Sequence, residues 1–142
     1  MKPENRFIGR VNKKLPDAVY VEKTNNPYRG GIPDCYYEGD YSILWVEYKW
    51  LPAVPPRINL TDDKGVCLSR LQQQWLTRAQ NNGVPTAVIV GAPGGGVIYP
   101  RLSWMTDLPR EEFKAKMITD KEIAEWLAAQ LLRSVQRKPS GV

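Results

Sequence analysis

The chain has 142 residues, a formal net charge of +5 at pH 7 and no histidine. This length favours a single domain that buries a core, and the moderate basic excess suits a phosphate-binding protein without identifying one. The lack of histidine excludes histidine-dependent nucleases, Ser-His-Asp and Cys-His hydrolases and most zinc enzymes. Any hydrolysis must therefore use carboxylates, lysine and a hard metal ion.

The two cysteines, Cys35 and Cys67, lack metal-ligand spacing and are predicted to be reduced thiols in a cytoplasmic protein. Cys35 is expected to face the core. We expect neither a signal peptide nor a membrane-spanning segment, because no apolar run has the necessary length.

The first predicted element is a helix over residues 1–15, which Pro16 ends. Its apolar residues recur at helical spacing: Phe7, Ile8, Val11 and Leu15. Glu4 lies on or beside this stripe, and the simpler explanation for it is a first-turn acid favoured by the helix dipole. Residues 18–23 alternate in polarity, which predicts the first strand.

A polar, glycine-rich loop is predicted next, over residues 24–31. Tyr28 and Arg29 are an aromatic residue and a cation that can meet a base, a sugar or a phosphate of nucleic acid. The alternative for both residues is an ordinary surface loop.

A hairpin of two strands is predicted after this loop, with a turn at residues 38–40 and a second strand over residues 41–50. Side chains alternate on a strand, so Glu47 and Lys49 point the same way. Asp34 lies near the start of the first strand, and the hairpin is expected to bring it beside Glu47. The sequence thus predicts two carboxylates and an ammonium group at one edge of a sheet.

Such a group of side chains has a chemical use, because Mg²⁺ binds proteins through one or two carboxylates and keeps waters or phosphate oxygens. Lys49 can then orient or activate the attacking water or stabilise charge on the phosphate. The alternative is an ordinary solvated face. The apolar run at residues 43–46 is typical of a buried strand. A carboxylate and a lysine at the end of a buried strand favour a functional site over a solvated face.

Prolines in residues 51–65 rule out a helix or a central strand there, and a loop of this length is expected to border the site and to order partly on substrate. Arg57 and Lys64 of this loop, with Arg70 beyond it, are candidates for DNA contact. A second helix is predicted over residues 68–82, with Ser69 as its N-cap and Gly83 as its stop. Its predicted apolar stripe is Leu68, Leu71, Trp75 and Ala79.

The remaining chain is predicted to hold a buried strand, a triple-glycine turn, a short strand, an irregular segment, a short helix and a final helix. These lie at residues 86–91, 94–96, 97–99, 102–107, 110–117 and 120–136. Thr119 or Asp120 caps the final helix, whose broad apolar face with Trp126 is expected to bury against the core or a partner subunit. The basic tail from residue 137 is expected to fray.

The order of motifs resembles the PD-(D/E)xK nuclease superfamily, and in particular its VRR-NUC branch and the Holliday junction resolvases of archaea and phages. The matching segments run from residue 1 to about residue 91: Glu4 on the first helix, Gly31-Ile32-Pro33-Asp34, Glu47-Tyr48-Lys49, Gln72-Gln73-Gln74-Trp75-Leu76, and then Gly83 with a buried strand. The C-terminal third, a predicted helical extension at about 102–137, lies outside the resemblance.

The resemblance implies an α/β fold with a restriction-endonuclease-like core, in which helices flank a mixed, largely antiparallel sheet. It implies that Asp34 and Glu47 bind Mg²⁺ or Mn²⁺, with the carbonyl of Tyr48 and with Glu4 as further ligands. Lys49 would be the catalytic lysine and Gln72 would position it or the substrate, although Gln73 and Gln74 stay open as alternatives.

The implied activity is metal-dependent hydrolysis of phosphodiester bonds in branched DNA, with the Holliday junction as first choice. Junction resolution needs two cuts related by a two-fold axis, which implies a homodimer. The expected location is the cytoplasm, which is that of the host if the chain is phage-encoded. The alternatives are a flap, repair or restriction-type endonuclease of the same superfamily, or a non-catalytic nucleic-acid-binding protein.

Overall fold

The structure, a computed structural model, describes residues 1–24, 30–62 and 64–136. The helices in these ranges are α1 (Pro3–Lys13), α2 (Arg70–Asn81), α3 (Arg110–Lys116), α4 (Asp120–Leu131) and α5 (Arg133–Gln136), with a 3₁₀ turn at Ser103–Met105. The strands are β1 (Tyr20–Lys23), β2 (Cys35–Glu38), β3 (Ile43–Trp50), β4 (Arg57–Ile58), β5 (Thr86–Ala92), β6 (Gly95–Pro100) and β7 (Leu108–Pro109).

Five strands form the central sheet in the order β1-β2-β3-β5-β6. Strands β3 and β5 are parallel, and every other neighbouring pair in this sheet is antiparallel. Helix α2 makes the crossover between the two parallel strands, as such connections require. The predicted α/β fold, with a mixed and largely antiparallel sheet flanked by helices, is confirmed.

Each face of the sheet has its own buried cluster because side chains alternate along the strands. On the first face, α1 and α4 pack on residues such as Tyr37 and Tyr48. On the second face, α2 and the C-terminal segments pack on Val88 and Val90 of β5. Glu47 lies on the second face, and at 3% exposure it is as buried as its apolar neighbours.

The final helix differs from the prediction, because α4 ends at Leu131 and a separate turn, α5, follows. Leu132 between them is extended, with φ −113° and ψ 133°. The cause is a distant contact: the carbonyl of Leu131 accepts hydrogen bonds from the turn before β3, and Asp40 Oδ1 of that turn accepts one from the Arg133 amide at 2.8 Å. The turn therefore caps α5 and stops α4.

The buried face of α2 also differs from the prediction. Leu71 is 56% exposed, whereas Leu76 and Ala79 are buried. The helix is rotated so that Gln72, a polar residue, lies on the side that faces the sheet. The N-cap at Ser69 and the positive φ of Gly83, 85°, agree with the predicted helix ends.

The proline-rich segment after β3 is not wholly irregular, because it contains β4, which pairs with β7 in a second, two-stranded sheet. Both cysteines are unpaired and Cys35 is fully buried, as predicted. Within the described ranges, no helix has the length and apolar character needed to span a membrane. The predicted basic tail from residue 137 lies outside the described residues.

Candidate active site

Asp34 and Glu47 form a carboxylate pair at the point where β2 begins beside β3. The backbone N–H of Asp34 donates to Glu47 Oε1 at 3.2 Å, and the N–H of Tyr48 donates to Asp34 Oδ2 at 2.9 Å. Each carboxylate is thus held by the backbone of the segment that carries the other. The hairpin brings the two acids together as the sequence predicts.

Lys49 and Gln72 converge on the same carboxylate oxygen. Lys49 Nζ lies 3.5 Å from Glu47 Oε2, and Gln72 Nε2 donates to that oxygen at 2.8 Å. The other end of the amide is fixed too, because Gln72 Oε1 accepts from the N–H of Ser69 at 2.8 Å. Since Ser69 Oγ in turn accepts from the Gln72 N–H, the pair forms a capping box.

The capping box decides which glutamine reaches the site. Its carbonyl is committed to the helix N-terminus, so the Gln72 amide presents its NH₂ group to Glu47. Gln73 instead donates to the carbonyl of Leu68, and Gln74 is exposed on the outer side of α2. The S-x-x-Q spacing is a sequence signal for this box, although its link to Glu47 becomes visible only in three dimensions.

Gly31 allows the segment before Asp34 to pack closely against the backbone of α2. Its φ is +94°, and a Cβ built there would lie 2.6 Å from the carbonyl oxygen of Leu71. A side chain would therefore be strained and would collide with helix backbone. The Gly-x-Pro-Asp segment packs directly on the helix that carries Gln72.

On the other face of the sheet, a buried hydrogen-bond chain anchors the middle residue of the Glu-x-Lys motif. The hydroxyl groups of Tyr48 and Tyr37 lie 2.6 Å apart, and Tyr37 donates to Asn12 Oδ1 at 2.6 Å. Tyr48 is fully buried and its ring packs edge-on against Phe7. This anchoring fixes the pleat of β3 and hence the direction of the two charged neighbours of Tyr48.

Burial raises the pKa of Glu47 to about 9, and the nearby charge of Asp34 is the second cause. The ammonium group of Lys49 acts in the opposite direction but is weaker. The pKa of Glu4 on α1 is also raised, first by burial and then by the charge of Asp34, while Lys49 lowers it. Glu4 therefore shares the electrostatic environment of the pair.

The donor atoms fit a small divalent cation. Two carboxylates close together repel each other when both are ionised, and a cation relieves that repulsion. Mg²⁺ needs only one or two protein carboxylates. In the described part of the chain, no group of three acidic or cysteine side chains could hold a metal ion. The further ligands implied by the resemblance, Glu4 and the Tyr48 carbonyl, stay predictions.

The predicted DNA contacts line two clefts that include neither Asp34 nor Glu47. Arg57 and Lys64 line a cleft of about 360 Å³ in which Arg57 Nε pairs with Asp107 Oδ2 at 3.1 Å. Arg70 begins α2 and lines a shallow cleft of about 410 Å³ together with Arg78. The two loop candidates, Tyr28 and Arg29, lie outside the described residues.

No protein-family model matches the chain, and no curated protein matches it either. Among solved structures, the chain is similar to the 1.6 Å structure of Hjc, a Holliday junction resolvase from the archaeal hyperthermophile Archaeoglobus fulgidus, with a TM-score of 0.52 and 15% identity. The similarity covers 87% of this chain and 96% of that chain. At this identity the likeness establishes the fold, and the predicted restriction-endonuclease-like core is confirmed.

Proposed function

We propose that the chain is a metal-dependent, structure-selective DNA endonuclease whose preferred substrate is a four-way junction. The observation that carries this proposal is the convergence of Asp34, Lys49 and Gln72 on the buried carboxylate of Glu47. A buried acid with a strongly raised pKa, next to a second acid and a lysine, is typical of a functional site rather than of a solvated face.

Asp34 and Glu47 are the proposed ligands of Mg²⁺ or Mn²⁺, and Glu4 and the carbonyl of Tyr48 are candidates to complete the set. When bound, the ion activates water and stabilises the charge that develops on a phosphodiester. The proton that burial favours on Glu47 must leave for the carboxylate to act as a ligand. Metal binding is therefore expected to strengthen as the pH rises.

The other two side chains have separate roles in this proposal. Lys49 lies beside Glu47, so its ammonium group is placed to orient the attacking water or to stabilise negative charge on the phosphate. Gln72 holds Glu47 Oε2 through an amide whose orientation the helix cap already fixes. This side chain therefore acts as a positioning residue, which keeps the carboxylate in one geometry before substrate arrives.

The choice of a junction as substrate draws on the fold shared with Hjc, which is described as a Holliday junction resolvase. Fold alone does not fix a substrate, so a panel of DNA structures tests this choice. Paired cuts on a symmetric junction require two active sites, and we therefore propose a homodimer. The face of α4 around Trp126 is the candidate interface, and Arg57, Lys64 and Arg70 are candidates for contact with phosphate.

A substrate panel tests the proposal. The wild-type protein is incubated with end-labelled four-way junction, flap, splayed-arm and linear duplex DNA, each with Mg²⁺ and with EDTA. We expect paired, symmetric nicks in the junction only when Mg²⁺ is present. Preferential cleavage of flap or linear DNA would reject the junction while keeping the nuclease, and binding without cleavage of any substrate would reject the nuclease itself.

A further inference from the structure

Four aromatic side chains lie in a row across the second face of the sheet, and we call them the aromatic row: Tyr20, Tyr36, Trp45 and Trp75. Neighbouring ring centroids are 6.4, 4.9 and 5.2 Å apart in that order. The register explains the row, because Tyr36 pairs with Trp45 across β2 and β3. The row thus runs from the edge strand β1, over the sheet, to the helix α2.

The row lies next to the carboxylate pair, on the same face. Tyr36 is two residues beyond Asp34, and Trp45 is two residues before Glu47. Two residues along a strand span about 7 Å. On α2, Trp75 is one helical turn beyond Gln72. Asp34, Glu47 and Gln72 therefore each have an aromatic neighbour on the same side of the site.

On the second face, the half of the sheet that contains β1 and β2 is not covered by the rest of the described chain. The buried cluster on the second face includes residues from β3, β5 and β6 or their flanks, but none from β1 or β2. Tyr20 is 56% exposed, and the other three rings are half-buried. Single apolar side chains on a protein surface need no explanation, but a contiguous group of partly exposed rings next to a site is typical of an interaction surface.

The charges around the row are divided. On the α2 side, the Arg78 guanidinium carbon lies 5.3 Å from the Trp75 ring centroid, and Lys49 stands at the site. On the side of β1 and β2, Glu22 and Glu38 are exposed, and Glu38 accepts a hydrogen bond from the Tyr36 hydroxyl. Phosphates are therefore favoured towards α2 and disfavoured over the strands.

We propose that the aromatic row binds unpaired bases of a nucleic-acid strand that enters from the α2 side, next to the carboxylate pair, and places successive bases along the row towards Tyr20. Aromatic side chains stack on bases of any sequence, because every base has a π-face, and a nearby arginine adds to this attraction. Paired bases in a duplex keep their faces stacked on each other and cannot use the row. The proposal rests on the proposed nuclease function and adds that the enzyme recognises unstacked nucleotides at the branch.

Two tyrosines of nearly equal exposure provide the test and its matched control. Tyr20 belongs to the row and is 56% exposed, whereas Tyr41 is 55% exposed and lines a cavity beside Trp126 of α4. The proteins Y20A, Y36A, Y36F and Y41A are compared with wild type in EDTA. Fluorescence anisotropy measures their affinity for labelled single-stranded oligothymidylate and for a linear duplex.

Y20A and Y36A are expected to weaken oligothymidylate binding by about fivefold or more each, the loss that stacking on a base implies, with duplex affinity unchanged. Y41A should match wild type in binding and, because Tyr41 lies beside Trp126 of the candidate interface, is used as the control once size-exclusion chromatography shows an unchanged oligomeric state. Y36F should bind well because it keeps the ring. Because Tyr20 is exposed, Y20A is expected to fold, which thermal unfolding checks. That variant alone decides the test if Y36A proves unstable.

The proposal is overturned if wild type does not bind oligothymidylate, if Y20A and Y41A behave alike, or if duplex affinity falls equally. It is also overturned if Y20A only dissociates a dimer on size-exclusion chromatography, because the row would then bind a second copy of this chain. These failures differ from failure of the nuclease proposal, because binding is measured without metal. Wild-type cleavage in Mg²⁺ with unchanged binding by Y20A would reject the row and keep the enzyme.

Discussion

Replacing Glu47 with Gln is expected to abolish cleavage and yet to stabilise the protein at neutral and alkaline pH. Ionised Glu47 is unfavourable in the folded state, because burial moves its pKa from an ordinary value of 4.5 to about 9. At 1.36 kcal/mol per pKa unit, a displacement of this size corresponds to about 6 kcal/mol. A glutamine at this position is neutral at every pH and therefore avoids the free-energy cost of a buried charge.

The sign of the pH dependence follows from proton binding. Between pH 4.5 and about pH 9, the folded protein retains a proton on Glu47 that the unfolded chain has lost. Stability therefore falls as the pH rises through this window, by up to about 1.4 kcal/mol per pH unit. The loss reaches about 3 kcal/mol at pH 7, and it is absent below the unfolded pKa.

Glutamine also carries a penalty that does not depend on pH. Glu47 Oε1 accepts from the Asp34 N–H and Oε2 accepts from Gln72 Nε2, so the NH₂ group of a glutamine would face one of these donors. A mismatch of this kind costs about 1–3 kcal/mol. Protonated Glu47 in the wild type also has an O–H group facing one of these donors, so the two proteins are expected to have similar stability near pH 5, and Glu47→Gln is expected to be the more stable one at pH 8.

Urea unfolding in EDTA at pH 5, 6, 7 and 8 measures the difference in unfolding free energy between Glu47→Gln and wild type. The matched control is Glu111→Gln, which removes an exposed carboxylate from the first turn of α3. A difference that stays flat with pH, or that changes as little as in the control, would refute the idea that burial destabilises ionised Glu47.

Three further outcomes are expected. Lys49→Ala should slow junction cleavage by at least about 100-fold while junction binding in EDTA survives with only a small loss of affinity, which single-turnover assays and anisotropy measure. Mg²⁺ at 100 times its dissociation constant should stabilise wild type by about 2.7 kcal/mol; thermal unfolding should reveal no such gain in Asp34→Asn. Gly31→Ala should lose about 1–3 kcal/mol of stability in urea unfolding, because its φ of +94° and the Leu71 carbonyl leave no room for a methyl group. Gly65→Ala, also at positive φ but in open space, separates strain from collision.

The features that the sequence predicted correctly depend on local patterns. The hairpin that joins Asp34 to Glu47, the Ser69 cap and the buried strand β5 each follow from residues within one segment. Alternation on β3 alone places Glu47 and Lys49 on one side. Because the site is built mainly from one hairpin, its central group of side chains could be predicted before any tertiary contact was known.

The features that the sequence did not predict depend on contacts between distant segments. The Asp40 carboxylate accepts a hydrogen bond from the Arg133 N–H, 93 residues later, and so caps α5 where α4 has ended. Strand β4 pairs with β7 across about 50 residues. The orientation of α2 was predicted wrongly because apolar Leu71 was assigned to the buried stripe, whereas it is exposed. The hydrogen bond from Gln72 to Glu47 turns a polar residue towards the sheet instead. The aromatic row likewise requires the register of three strands before its members become neighbours.

The most direct test of the account is the single-turnover rate of junction cleavage by Asp34→Asn at increasing Mg²⁺ concentration. The control is Asp17→Asn, which removes an exposed acid from the turn after α1. We expect Asp34→Asn to lose essentially all cleavage while it still binds the junction, and Asp17→Asn to cleave like wild type. Cleavage by Asp34→Asn at the wild-type rate would contradict the claim that this carboxylate pair performs phosphodiester hydrolysis.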